Sequence, residues 1–398
     1  MQRNFCDIGN ILTAKAFDVT HTDLQQVLDW AVAEAGIPGI VADVKDGHRT
    51  WFGTAGVADL ATGAPRQPGE HAQIGSGGKA FIAAVLLGLE AEGKVGIDDP
   101  VNAWLPGVLD VNGYDGDKIT IRHLLANTSG LFPTGLAPEL TSRYTTRAAF
   151  REHRFDAFTR QELFEMTVSQ PPVGQPGEHF RYANGGFYLA EAVIEKITGH
   201  SFTEEVERRI FQPLGLTHTY VRPAADVTYR DPHPRAYSRQ FLKDGVDADA
   251  VTSSNWESML EQPGLDPLDV TEFNTSWVPG NIISTTGDMI RAVSALASGT
   301  LLPPAQHRQM WTTVSTEGSD WLPHTRYGLG LFEFDTAATG GRVLRGVGGS
   351  YWGSMFFTVS TADGEHVISV HTNIEMISWD VLRRVFEAGF GVAIGTQP

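Results

Sequence analysis

Apolar positions recur at helical spacing over 21–35, with Thr22 and Asp23 near the start and Gly36-Ile37-Pro38 closing the run. This pattern predicts an amphipathic helix. Strand-like stretches follow at 39–44 and 50–57, joined by the turn Lys45-Asp46-Gly47-His48. Near the other end, 327–334, 342–345, 354–360 and 366–371 read as strands, punctuated by Gly340-Gly341 and Ala362-Asp363-Gly364, and 378–389 reads as a closing helix. Between the two ends the period changes. The stretches 79–92, 121–125, 160–167, 186–198, 203–211 and 286–297 read as helices, and long polar connections, notably 132–158 and 223–279, separate them. The expected fold class is α+β. An antiparallel sheet with terminal helices would form from 1–75 and 299–398, and a mainly helical unit from 76–298. The cleft between them is the expected place for a ligand.

Composition narrows the possible roles. The 398 residues are 41% hydrophobic and 19% charged, which permits a large core and excludes a disordered chain. Lys and Arg number 30 against 47 Asp and Glu, a net charge of −17. Such a surface repels phosphate backbones and anionic lipid, so neither nucleic acid nor membrane is an expected partner. The single cysteine, Cys6, excludes an internal disulfide and a cysteine-based zinc site, and fits a reducing compartment. No signal peptide is visible, and the longest apolar run, 80–89, is far short of the roughly 20 residues that span a bilayer. The expected location is cytoplasmic.

Three segments carry candidate chemistry. The first, Ile74-Gly75-Ser76-Gly77-Gly78-Lys79-Ala80, opens a helix that is apolar on nearly all faces and is therefore expected to be buried. A lysine three residues after a serine lies on the same helix face. Burial makes an amine lose its proton readily, so Lys79 can take the proton of Ser76. The helix N-terminus adds positive potential. A capping serine and a snorkelling lysine fit the same letters. The second is Phe180-Arg181-Tyr182-Ala183-Asn184. A tyrosine held among cations can become a phenolate and act as base or proton shuttle, and Asn184 can donate its amide to a substrate carbonyl. A core tyrosine with a satisfied hydroxyl is the plainer alternative. The third is Arg345-Gly346-Val347-Gly348-Gly349-Ser350, whose glycines let a substrate lie against backbone N–H groups on a strand edge. A glycine-rich hairpin bulge also fits.

Taken in this order, the three segments resemble the serine β-lactamase and penicillin-binding-protein superfamily, most closely its class C β-lactamase and Streptomyces DD-peptidase branch. The resemblance runs from about residue 22 to 390 and includes 56–63, 93–101, 119–125, 128–131, 194–201, 213–216 and 327–331. It implies that Ser76 is the acylated nucleophile, that Lys79 activates it and that Tyr182 relays the proton. Asn184 would position the acyl amide or the Lys79 side chain. The N–H groups of Ser76 and Ser350 would form the oxyanion hole. No metal or organic cofactor is implied. His123, Thr128 and Ser129 also match and read as structural.

One departure redirects the expected substrate. The third segment of this branch begins with Lys or His, and here Val347 precedes Gly348-Gly349. A cation there pairs with a substrate carboxylate through a strong charge-assisted contact. Unless Arg345 or Arg181 substitutes, carboxylate-bearing substrates should bind poorly along Val347–Ser350. Esterases of the superfamily resemble this sequence in lacking the cation. The expectation is therefore an esterase- or amidase-type hydrolase of small molecules with weak or no β-lactamase activity. The alternatives are a biosynthetic acyltransferase that passes the acyl group to an amine or alcohol, and a silent binding protein. Phe132, Tyr188, Trp277, Tyr351 and Trp352 could supply an apolar cleft wall.

Overall fold

The two chain ends meet in one antiparallel sheet of eight strands. Its order is Arg49–Gly56, Gly39–Asp46, His366–Thr372, Ser354–Thr361, Leu344–Tyr351, Phe332–Phe334, Thr325–Tyr327 and Val314–Ser315. This is a computed structural model, and it describes residues 21–395 apart from 225, 244–245, 247–255, 261–265, 275–280 and 376. Cys6, Trp277 and part of the connection 223–279 lie outside the described residues.

The central strands are buried along most of their length because helices cover both faces. On one face, Ile40, Ala42, Val44, Phe357, Val359, Ile368 and Val370 pack with Leu24 and Leu28 of helix His21–Ala33 and with Leu382, Val385 and Phe386 of helix Trp379–Phe390. Full burial of one such side chain contributes roughly 1.5–3 kcal/mol. The opposite face presents Val347 and Phe356 to a second core, shared with helices Gly78–Ala91, Asn184–Thr198 and Thr286–Ser298. The last of these, which the expected boundary groups with the helical unit, lies against strands Ser354–Thr361 and His366–Thr372. A third core is largely aromatic. It joins Tyr144, Phe150, Phe158, Tyr188, Phe241 and Phe273, with Phe132, Tyr351 and Trp352 packed against it. Among the described residues no helix is long and apolar enough to cross a membrane.

Three local expectations change. The connection 132–158 contains two short helices, Pro138–Tyr144 and Arg147–His153, the second capped by the Thr146 side chain. The strand expected at 342–345 instead runs over Leu344–Tyr351, and its glycines stay in regular pairing with Ser354–Thr361, with no bulge there. The run 327–334 is not one strand but a hairpin. Gly330 turns it at φ +75°, and its N–H donates to the Leu125 carbonyl at 3.0 Å. A Cβ at Gly330 would lie 2.5 Å from the Lys79 carbonyl oxygen, so the hairpin tip rests directly on the first turn of helix Gly78–Ala91.

That contact leaves no space for a methyl group. Gly330→Ala is expected to lower stability by about 1–3 kcal/mol through overpacking and backbone strain. Urea unfolding measures it, and an unchanged midpoint would contradict the close docking of the hairpin on the Lys79 backbone.

Candidate active site

A tight backbone contact builds the site. Strand Ala72–Gln73, held by Ile282–Ser284, delivers the chain into a single 3₁₀ turn, Gly75–Gly77. Gly75 has φ +52°, and a Cβ there would lie 2.9 Å from the Ser350 carbonyl oxygen. On the facing strand, a Cβ at Gly349 would lie 2.3 Å from the Ser76 backbone nitrogen. Two residues without side chains therefore bring the Ser76 N–H against the end of strand Leu344–Tyr351. An oxyanion hole needs backbone donors gathered in this way.

Ser76 is the one residue between 70 and 87 that is not buried. Lys79, one helical turn on, is only 1% exposed. Its Nζ lies 2.9 Å from Ser76 Oγ and donates to Asn184 Oδ1 at 2.8 Å. The Tyr182 hydroxyl donates to the same serine oxygen at 2.6 Å. Helix Asn184–Thr198 starts at Asn184, two residues earlier than the periodicity predicts, which puts that amide in the first turn. The four side chains Ser76, Lys79, Tyr182 and Asn184 thus form one hydrogen-bonded group.

Burial sets the protonation of this group. It pushes the Lys79 amine down to about 7, so neutral and charged forms coexist near neutral pH. It pushes the Tyr182 phenol well above its ordinary range, and the hydrogen bond to Ser76 offsets only part of that rise. The expected phenolate is therefore corrected: desolvation dominates and keeps the phenol protonated, although Lys79 Nζ lies 4.7 Å from the ring centroid. The phenol thus carries a proton beside Ser76 Oγ, and the amine in its neutral form has a lone pair there.

Two positioning residues escaped the sequence reading. Asn127, at φ +55°, accepts the Arg181 N–H on its carbonyl at 2.7 Å and the Ala183 N–H on its Oδ1 at 3.0 Å, so it grips the backbone on both sides of Tyr182. The available signal was an asparagine just past helix Ile121–Leu125, where a left-handed residue is common. Trp321 stacks on the Tyr182 ring with centroids 4.9 Å apart and planes at 18°. No local pattern marks it. His123 is structural, as expected, and exchanges capping hydrogen bonds with Thr120 at 3.2 Å.

The third segment contributes backbone more than side chains. Val347 is buried in the core with Ile74, and its Cγ1 lies 3.4 Å from where a Cβ on Gly77 would sit. The space beside Gly348 is filled by Phe357, while Ser350 is half-buried. Arg345 does not replace the missing cation: its guanidinium pairs with Glu333 at 3.2 Å, donates to the Ala297 carbonyl at 2.7 Å and lies over Trp311. Arg181 is exposed. Among the described residues no group of three or more His, Cys, Asp or Glu could hold a metal ion.

Comparison with known proteins places this geometry. A family model described as Beta-lactamase matches residues 24–376. A solved structure of a D-stereospecific amidohydrolase from Streptomyces sp. is 35% identical, covers 93% of this chain and 98% of its own, and superposes with a TM-score of 0.80. Esterase EstB of Burkholderia gladioli is 26% identical over 75% of this chain and 77% of its own length. Penicillin-binding protein 4* of Bacillus subtilis is 25% identical over 78% of this chain, which spans 62% of that relative's length.

The depressed amine gives a test of Ser76 reactivity. Labelling of Ser76 by a serine-directed phosphonate is expected to rise about tenfold per pH unit at acid pH and to level off above about 7, as Lys79 loses its proton. Mass spectrometry of the adduct follows the rate. A flat profile would exclude Lys79 as the group that accepts the serine proton.

Proposed function

The chain belongs to the β-lactamase family, and from that premise we propose that it hydrolyses small ester or amide substrates through an acyl-enzyme on Ser76. The observation that carries the proposal is the serine oxygen itself, met by a buried amine at 2.9 Å and a protonated phenol at 2.6 Å. This is the pairing of acceptor and donor that acyl transfer requires.

Neutral Lys79 takes the proton of Ser76 as Oγ attacks the substrate carbonyl carbon. The negative charge moves to the carbonyl oxygen, which the N–H groups of Ser76 and Ser350 receive. On collapse, the bond to the leaving group breaks and Tyr182 supplies that group's proton. The proton held by Lys79 restores the phenol, so the first half-reaction moves one proton from serine to leaving group. Water then attacks the acyl carbon, gives a proton to the serine oxygen and releases the acid. Asn184 holds the Lys79 amine at 2.8 Å and keeps it aimed at the serine.

The donor class follows from what position 347 lacks. With Val347 buried and Arg345 engaged by Glu333, no charge-assisted contact is available from these two residues for a substrate carboxylate. Esters and amides without an essential carboxylate fit better than penicillins. The amidohydrolase and esterase names of two relatives agree with that class. The alternative, an amine or alcohol taking the acyl group in place of water, shares every step up to the acyl-enzyme, and a cytoplasmic site of action is consistent with the lone Cys6.

Intact-protein mass spectrometry with a panel of activated esters tests it, on wild type and Ser76→Ala, with and without an added amine. The expected result is an acyl adduct on the wild type alone that clears in water to the acid. Clearance only into amide would make the protein an acyltransferase. No adduct and no turnover with any ester would leave a binding protein as the better account. In the same assay Val347→His is expected to raise the rate of penicillin acylation, and an unchanged rate would remove the argument from the missing cation.

A further inference from the structure

Trp321 lies in the connection between strands Val314–Ser315 and Thr325–Tyr327, yet its indole reaches Tyr182, which precedes helix Asn184–Thr198. The two ring planes are nearly parallel, 4.9 Å apart at their centroids. The indole is braced by Tyr327, edge-on at 5.2 Å, and by Phe180 at 5.9 Å, and those two rings lie 5.1 Å from each other. The indole N–H is buried and meets no acceptor among the described residues. A buried donor left unsatisfied is rare and calls for a reason, since an apolar side chain would fill the space without that penalty. What tryptophan adds over such a side chain is a broad flat face for the phenol.

That face matters because of how Tyr182 is otherwise held. Among the described residues the hydrogen-bond partner of its hydroxyl is Ser76 Oγ. Attack bonds that oxygen to the substrate carbon and takes it from the phenol as a free hydroxyl partner, so the hydroxyl loses its anchor at the collapse in which it must give its proton. Asn127 fixes the backbone on either side through its two hydrogen bonds. The stack on Trp321 does not depend on the state of Ser76.

We propose that Trp321 is a positioning residue for Tyr182, holding the phenol beside the serine oxygen while that oxygen is bonded to the tetrahedral carbon, so that protonation of the leaving group depends on it. This inference rests on the acyl-serine reading above.

Leaving groups separate this role from a merely structural one. An anilide must be protonated as it departs, whereas nitrophenolate leaves as the anion. With one acyl group on both, kcat/KM reports the steps up to acylation. Trp321→Leu, which keeps an apolar side chain and removes the flat face, is expected to lower kcat/KM on the anilide about tenfold to a hundredfold more than on the nitrophenyl ester. Tyr182→Phe should show the same split. Trp321→Phe, which restores a flat ring, should recover most of the anilide activity, and it serves as the folded comparison if Trp321→Leu is unstable. Equal losses on both substrates, or equal behaviour of the Leu and Phe variants, would overturn the inference. A split in Tyr182→Phe that Trp321→Leu does not share overturns it alone. Turnover that survives Ser76→Ala brings down the acyl-serine reading instead.

Discussion

An amine that has lost its water is what the site depends on. Lys79 sits on a helix whose other side chains are almost all apolar and buried, and it is met there by a serine oxygen and an amide oxygen. Desolvation lowers its proton affinity, and that single effect divides the labour between the two groups around Ser76. The same desolvation acts in the opposite direction on a phenol, so Tyr182 keeps its proton while Lys79 is divided between charged and neutral forms near neutral pH. One dry environment thus produces an acceptor and a donor on either side of one oxygen.

The geometry that serves this chemistry comes from backbone meeting backbone. The 3₁₀ turn at Ser76 and the strand ending at Ser350 approach too closely for side chains at Gly75 and Gly349. Hairpin 325–334 presses on Lys79 in the same manner through Gly330. Such contacts are stiff because no rotamer can relax them. They fix the nucleophile against the sheet, while the helical part of the chain brings Tyr182 and Asn184 from the other side.

What was legible in the sequence was what is local. Ser76 and Lys79 are related by helix pitch, Tyr182 and Asn184 by two positions, and the glycine strand by its composition. Each survives as a geometric group because its spacing is set within one turn or one strand. The terminal strands were legible too, since β-branched residues recur between turn signals, as Val367, Ile368 and Val370 do in 366–372. Asn127 and Trp321 were not legible because their roles exist only across long sequence separations. The phenolate expectation failed for a related reason: how deeply Tyr182 is buried is set by the fold, and that burial outweighs the charge beside it. Short helices 138–144 and 147–153 were hidden in a polar stretch whose stability comes from packing against Phe241 and Phe273 and not from propensity.

The pairing of the first strands with the last has a consequence in time. Strand Gly39–Asp46 finds its neighbour in His366–Thr372, and the Ser76 turn finds its wall at Gly349-Ser350. At about 5–20 residues per second, a ribosome needs roughly 15–55 s to travel from the serine to that wall. Throughout that interval the nascent chain carries a nucleophile with no oxyanion site beside it. The chemistry proposed for Ser76 therefore waits until residues 344–372 have emerged and the sheet can close.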